Sequence, residues 1–319
     1  EYMQNVREGF KSDDPLSVPE IASACFQCKL KEDQGAVSKR QRTLNRDDPD
    51  RSFMELKLIG NICNYACLMC DARSSSKIAE AQGLSLPKYF NHSDDWWDDF
   101  KEVSKEYSNF KFSGGEPFMS PTTKKILKIL VNSGRSEEVS LQFNTNGSAS
   151  KRVIEKLLRS FKNVQICFSI DAWGERNSII RKHSDWNFTE DRLWDYADLV
   201  SKYSNMTLSI HPCISILNIG YLYEFDAFVR EFASLKRIEF SATNTLAYPL
   251  YYNAAYLPNK IKKVYLENNY EFLSGIYCGN EKGAISVLKS DNEDLAKFKL
   301  GISQIPNYKK WYPEFIAYA

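Results

Sequence analysis

Long apolar runs are absent from this chain of 319 residues. Nothing in it nears the ~18 consecutive apolar residues of a membrane-spanning helix, so a membrane is not an expected partner. The first residues, EYMQNVREGF, lack the apolar centre of a secretory signal peptide. The expected compartment is therefore cytoplasmic. An initiating methionine is missing too, and Met3, Val6 and Phe10 already follow helical spacing; the chain is expected to be a fragment without its true N-terminus. Net charge nearly vanishes, because 42 Lys and Arg against 41 Asp and Glu leave +1. No global positive field gathers nucleic acid or anionic lipid, which leaves nucleic acid out of the expected partners. The basic stretch from Lys39 to Arg46 reads first as a solvated charged loop, with a contact surface as the alternative. Low-complexity tracts are absent as well.

What is present describes a globular protein. Hydrophobic residues make up 43% and aromatic ones 13% of the chain, enough for a full core without a metal to hold it. Eight cysteines in a reducing compartment point to metal or redox chemistry rather than to a disulfide framework. Cys25 pairs in sequence with Cys28, and Cys63 groups with Cys67 and Cys70. Cys167, Cys213 and Cys278 stand alone.

From about Phe53 onward, short apolar runs alternate with helical patterns, the rhythm of βα units and a parallel sheet. Six strands are expected at 54–60, 109–115, 138–145, 163–171, 206–215 and 236–243. Helices are expected near 95–107, 121–133, 150–160, 189–203 and 221–233, with another from Asn259 to about Leu273. Period-two alternation sets Gln165, Cys167, Ser169 and Asp171 on one face of the fourth strand and Val164, Ile166, Phe168 and Ile170 on the other. Ser209, His211, Cys213 and Ser215 on the fifth strand, and Glu239 on the sixth, repeat the polar side. A polar face gains little stability and suits an active-site lining. The expected fold is α/β: a partial (β/α)6 TIM-like barrel of parallel strands over 53–245, with a small cysteine-containing module at 1–52 and C-terminal helices at 246–319. Two sheets with the polar face in solvent are the alternative, disfavoured by a helix between successive strands.

The sharpest local signal is ICNYACLMC after the first strand. Cys63, Cys67 and Cys70 can each hold one iron of a cubane and leave the fourth iron without a protein ligand. A structural zinc site wants a fourth ligand at similar range, and the nearest histidine, His92, is poorly placed; the choice between cluster and zinc stays open on spacing alone. SGGEP, at the end of the second strand, is the next signal. Gly114 and Gly115 allow close backbone approach, and Glu116 can accept from an ammonium group.

CNYACLMC, then FSGGEP, then NTNG from Asn144 and FSID ending at Asp171, together and in this order, resemble the radical S-adenosylmethionine (SAM) superfamily. The resemblance implies a 4Fe-4S cluster on Cys63, Cys67 and Cys70, with SAM on its open iron. Glu116, with Gly114 and Gly115, would receive the SAM amino group. Asn144, Ser169 and Asp171 would lie by SAM, the latter two near its ribose. Arg181 would pair with its carboxylate, Asn218 would contact the adenosine, and Tyr65 and Met69 would pack on the cofactor. The reaction implied is reductive cleavage of SAM to a 5′-deoxyadenosyl radical that takes hydrogen from a substrate, fed by a low-potential donor such as flavodoxin or ferredoxin. ACFQCKLKEDQGAVSKRQRTLN resembles the twitch-type module of some radical SAM enzymes that modify peptides, which implies a second iron-sulfur cluster on Cys25, Cys28 and Cys278; two free thiols or a zinc knuckle are the bland reading. His211, Cys213, Cys167 and Glu239 are candidate catalytic groups in the lumen. The expected substrate is a peptide or protein side chain. A nucleoside, RNA or small-molecule substrate is the first alternative, and a non-catalytic iron-sulfur or zinc protein the second.

Overall fold

A computed structural model describes residues 2–33, 39–44, 53–57, 60–86, 88, 91–225, 228, 231, 234, 238–240, 246, 248–274 and 284–318. Cys278 and residues 226, 227, 229, 230, 232 and 233 of the expected helix at 221–233 lie outside them. The chain divides into two compact units, one of residues 1–53 with 92–108, the other of 54–91 with 109–319.

The first unit is helical: α1 (Tyr2–Lys11), α2 (Pro19–Asp33), α3 (Lys39–Leu44) and, from the later segment, α5 (Asp94–Ser104). Its polar centre is Arg40. The guanidinium pairs with Glu32 and donates to the carbonyls of Phe10 at 2.9 Å and Ser12 at 2.7 Å. A forked donor of this kind satisfies three segments at once, and it joins α3 to α2 and to the end of α1. Cys25 and Cys28 are both on α2, one turn apart and therefore on one side of the helix. Burial pushes the Cys25 thiol up, with the neighbouring Cys28 adding to the effect.

The second unit is built on one sheet. Among the described residues it has six strands in the order β1 (Phe53–Leu56), β2 (Asn109–Phe112), β3 (Ser140–Thr145), β4 (Asn163–Phe168), β5 (Met206–Ile210) and β6 (Ile238–Phe240). The ladders from β2 to β6 are parallel, as helical crossovers require. The crossovers include α6 (Pro121–Asn132), α7 (Lys151–Leu158) and α9 (Trp186–Lys202). Each buries a helical stripe: Ile126, Leu127 and Leu130 on α6, Ile154 and Leu158 on α7, Leu193, Tyr196, Ala197 and Val200 on α9.

Register turns strand alternation into rows. Phe112, Phe143, Ile166, Leu208 and Ile238 run across one face, flanked by Phe110, Leu141, Val164 and Met206. Nearly all are buried, and each full burial of a side chain of this size is worth roughly 1.5–3 kcal/mol. The opposite face carries Lys111, Gln142, Gln165 and Thr207 in one row and Asn144, Cys167, Ser209 and Glu239 in the next.

Strands end sooner than the sequence pattern suggests. β4 stops at Phe168, so Ser169 and Asp171 belong to the loop beyond it. β5 stops at Ile210 instead of continuing to Ser215, because Pro212 has no N–H for a ladder bond. His211 and Cys213 are thus rim residues, not strand residues. Two short helices that the sequence pattern does not announce also appear, α4 (Ser76–Ala81) and α8 (Glu175–Ile180).

Beyond β6, helices at Asn259–Ser274, Ala284–Lys289, Leu295–Ser303 and Tyr308–Trp311 complete the second unit. Lys262, 1% exposed, donates to the carbonyls of Ser290 and Asn292. It serves backbone carbonyls of the segment that follows the helix Ala284–Lys289. Among the described residues, no helix is long and apolar enough to cross a membrane.

Candidate cofactor site

The cysteine loop leaves the sheet after β1 and is held at both ends. Asn61 donates its side-chain amide to the Ala72 carbonyl at 2.7 Å, and its own carbonyl accepts from Ser76 N at 2.7 Å. The Ser75 hydroxyl donates to the Tyr65 carbonyl at 2.5 Å, and Ser76 bonds both the N–H and the carbonyl of Cys63. On its other side the loop meets the segment after β4: Ala66 N donates to the Lys182 carbonyl and Leu68 N to that of Ile180, each at 2.9 Å. A loop satisfied in this way holds its side chains without regular structure of its own.

Cys63 and Cys70 are half-buried and Cys67 is 9% exposed; none of the three is in a disulfide. Burial pushes the Cys63 thiol up to about 11 and the Cys67 thiol to about 12, and it raises Cys70 in the same direction. Arg181 opposes the rise at all three, with Nη1 lying 3.9 Å from the Cys67 sulfur. Buried thiols of this kind give up their protons when a cation takes their place. Among the described residues, no three Cys, His, Asp or Glu side chains converge on a single ion. A cubane does not ask for that, since each thiolate binds a separate iron.

The SGGEP turn closes over this loop. Gly114 has φ of 109°, and a Cβ on Gly115 would stand 2.2 Å from the Ile62 carbonyl oxygen. Only glycine permits that approach, and it lets Glu116 N donate to the same carbonyl at 2.7 Å. The Glu116 carboxylate is fully buried and turned towards the NTNG turn: it accepts from Thr145 Oγ1 at 2.8 Å, from Asn146 N at 2.7 Å and from Phe118 N at 3.2 Å. Burial raises its pKa to about 7 against the pull of those donors. Asn146 in turn donates to Asn64 Oδ1 at 2.9 Å and lies 3.7 Å from the Cys63 sulfur. Three loop ends are thereby tied together at Glu116, its N–H bonding the loop after β1 and its carboxylate the turn after β3.

A second polar group sits past β4. Asp171 is fully buried; its Oδ1 accepts from Cys213 N at 2.8 Å, and its Oδ2 lies 2.8 Å from Arg181 Nη2. That contact is an ion pair off the N–H axis, so Asp171 Oδ2 and Arg181 Nε have no hydrogen-bond partner. Asn177, on α8, accepts from Asp171 N at 3.1 Å. Asn218, fully buried, donates to the carbonyls of Asp171 at 2.9 Å and Cys213 at 3.0 Å and accepts from Ser215 N at 2.9 Å. Its bonds therefore go to protein. Arg181 is likewise engaged by Asp171, while Ser169, whose N–H donates to Thr145 O at 2.8 Å, is half-buried. Asn144 and Met69 are half-buried, and Tyr65, 4% exposed, bonds Thr189.

The lumen candidates divide. Cys167, on β4, accepts from Gln142 Nε2 at 3.4 Å and from Ser209 Oγ at 3.5 Å. His211 has a buried Nε2 without a partner, and burial lowers its pKa while Glu239 and Lys111 act on it from β6 and β2. Glu239 itself is exposed. The Cys213 thiol is pushed up to about 12, by burial first and Asp171 second. Cys25 and Cys28 belong to the other compact unit. Sequence pattern did not single out Asn61, Ser75, Ser76, Thr145, Asn146 and Asn177; of these, Thr145 and Asn146, both inside NTNG, carried a visible signal.

Three unpaired thiols in one loop, the close glycine turn and buried polar atoms left without partners at Asn61 Oδ1, Asp171 Oδ2 and Arg181 Nε fit a 4Fe-4S cluster with SAM beside it. The model of the "Radical SAM superfamily" matches residues 58–229, more than half of the chain, and this protein belongs to that superfamily. Its members use a 4Fe-4S cluster and SAM.

Among solved structures, anSMEcpe with bound AdoMet is similar at 19% identity and a TM-score of 0.49, over 70% of this chain and 60% of that one. SuiB of Streptococcus suis bound to S-adenosylmethionine matches at 12% identity and a TM-score of 0.45, over 80% and 59%. SuiB bound to its precursor peptide SuiA matches at 13% and 0.45, over 80% and 60%. The chain thus spans about 60% of these neighbours. No curated protein matches it in sequence.

Proposed function

We propose that this protein is a radical SAM enzyme that removes hydrogen from a peptide or protein side chain, with Cys63, Cys67 and Cys70 as the ligands of its cluster. The observation that carries the reading is the cysteine loop itself, three unpaired thiols braced by backbone bonds and facing Arg181. When bound, the cluster and SAM supply one-electron chemistry that ends in hydrogen abstraction. The protein's own residues do the rest. Gly114 and Gly115 admit the cofactor's amino end close to backbone, and Arg181, the cation nearest the thiols, balances negative charge at the site. Asp171, Asn177 and Asn218 hold Arg181 and the β4 loop in place. Glu116 sets the spacing of the loops after β1, β2 and β3 without being open to solvent. The polar rows from Lys111 to Thr207 and from Asn144 to Glu239 offer hydrogen bonds to a substrate, while the helices seal the other face of the sheet against water.

The peptide assignment is supported by the twitch-like ACFQC segment, whose Cys25 and Cys28 share one side of α2 and supply two thiols for a second cluster. A low-potential donor such as flavodoxin or ferredoxin would be the electron source. The test is anaerobic reconstitution with iron and sulfide, reduction with SAM present, and mass spectrometry for 5′-deoxyadenosine, with Cys70→Ala as control. Product only with intact cysteines is expected. A cluster-loaded, reducible protein that yields none would overturn the enzymatic reading, and a modified small metabolite alongside unaltered peptides would overturn the substrate class.

A further inference from the structure

The helix α8 does more than connect. Asn177 holds Asp171, Arg181 follows directly, and the carbonyls of Ile180 and Lys182 receive the cysteine loop. Two charged side chains of α8 reach the C-terminal segment: exposed Glu175, 3.9 Å from Lys310 Nζ, and Arg176, which is the buried one. Its side chain is 10% exposed, its Nη1 donates to the Trp311 carbonyl at 2.7 Å, and its guanidinium lies over the Tyr221 ring at 3.4 Å from the centroid. Glu224 pairs with it at 3.4 Å. The turn it grips is pinned elsewhere too. Glu314 accepts from Tyr221 OH at 2.5 Å and from Tyr265 OH, and Tyr312 OH donates to the Leu217 carbonyl at 2.7 Å. Leu217 adjoins Asn218, the other support of Asp171. Residues 311–314 therefore brace Asp171 from two sides, through α8 and through the segment at 217–218.

We propose that Arg176 is a positioning residue: by locking the Trp311–Glu314 turn onto α8 it fixes Asp171 and Arg181 in the arrangement that receives SAM. The proposal rests on the radical SAM reading for its ligand. It gives the C-terminal segment a task that the core motifs do not assign, and it acts through stacking and a bidentate-capable donor, which a lysine reproduces only in charge.

The test uses the full chain. In apo protein, hydrogen exchange read by mass spectrometry is expected to rise about tenfold over 171–182 in Arg176→Gln while β3 stays unchanged. After reconstitution, the SAM concentration that half-converts the electron paramagnetic resonance signal of the reduced cluster is expected to rise roughly fivefold, with partial recovery in Arg176→Lys. Should Arg176→Gln not fold, Tyr221→Phe, which removes the hydroxyl bonded to Glu314 and Tyr265, is read by the same two measurements. Exchange and SAM response unchanged in a folded variant, or exchange raised evenly with the SAM response unchanged, would overturn the proposal. A wild-type reduced cluster that ignores SAM would overturn the radical SAM reading and this assignment with it, whereas a responsive wild type with equally responsive variants would overturn this assignment alone.

Discussion

Arg181 Nη2 lies 2.8 Å from Asp171 Oδ2, and the two side chains are 13% and 0% exposed. Burial alone would lower the arginine's pKa; the charge of Asp171 is the largest influence against it, and the net shift is upward. The aspartate needs this partner more than the arginine does. Replacing Arg181 with Met should therefore cost roughly 3–5 kcal/mol, since it strands a buried carboxylate. Urea unfolding of the apo protein measures it, and a loss below about 1 kcal/mol would mean that water reaches Asp171.

Glu116 gives a pH signature. Its folded pKa, raised to about 7 by burial, exceeds the 4.5 it has in the unfolded chain, so the folded state binds more protons between those values. Stability falls with rising pH wherever the native state holds the extra proton. Wild-type apo protein should be most favoured below pH 4.5 relative to Glu116→Gln and lose that advantage as pH rises to about 7. The difference is on the order of 3 kcal/mol. Parallel stability profiles for the two proteins would show that the carboxylate titrates normally.

Gly115 should tolerate no side chain. An alanine Cβ meets the Ile62 carbonyl oxygen at 2.2 Å, and backbone cannot swing aside as a side chain can, so Gly115→Ala should cost roughly 1–3 kcal/mol and lower iron uptake on reconstitution. Gly134 is the control. Its φ of +74° has open space around it, so Gly134→Ala should cost only the left-handed backbone term of about 1–2 kcal/mol and leave iron content intact.

Asn218 separates two roles. Both hydrogens of its amide go to protein carbonyls, so Asn218→Asp, which faces a carboxylate towards those carbonyls, should destabilise more than Asn218→Ala. The alanine variant should lose about 2–3 kcal/mol. Thermal unfolding of the apo forms decides it; equal stability with weaker SAM binding would instead assign the amide to the cofactor.

Much of the site was readable because its chemistry demands residue types at short local spacing. Cys63, Cys67 and Cys70 lie in one loop, and the glycines of SGGEP announce a close approach. The strand order follows from the βα rhythm, since successive parallel strands joined by helices have few topologies open to them. Asn177 was harder, and so was the support that Asn218, which the resemblance set beside the adenosine, gives to Asp171. Asn218 meets Asp171 from 47 residues away, and a polar residue working across such a distance leaves no local pattern. The helix α8 is too short to display a helical period. The strand ends at Phe168 and Ile210 depended on turns and on Pro212, which alternation alone does not weigh. Glu116 was visible as a motif, yet the direction of its carboxylate depended on the NTNG turn coming alongside.

The paired rows of the sheet divide the labour of change. Gln142, Cys167 and Ser209 project from the face opposite Phe143, Ile166 and Leu208, so a change among them falls on one another and leaves the helix-covered core face untouched. An inserted residue is another matter. One extra position in β4 would turn Ile166 to the lumen and Cys167 to the core, which makes the length of that strand as intolerant of drift as the cysteine spacing, while the letters on its inner face remain open to selection.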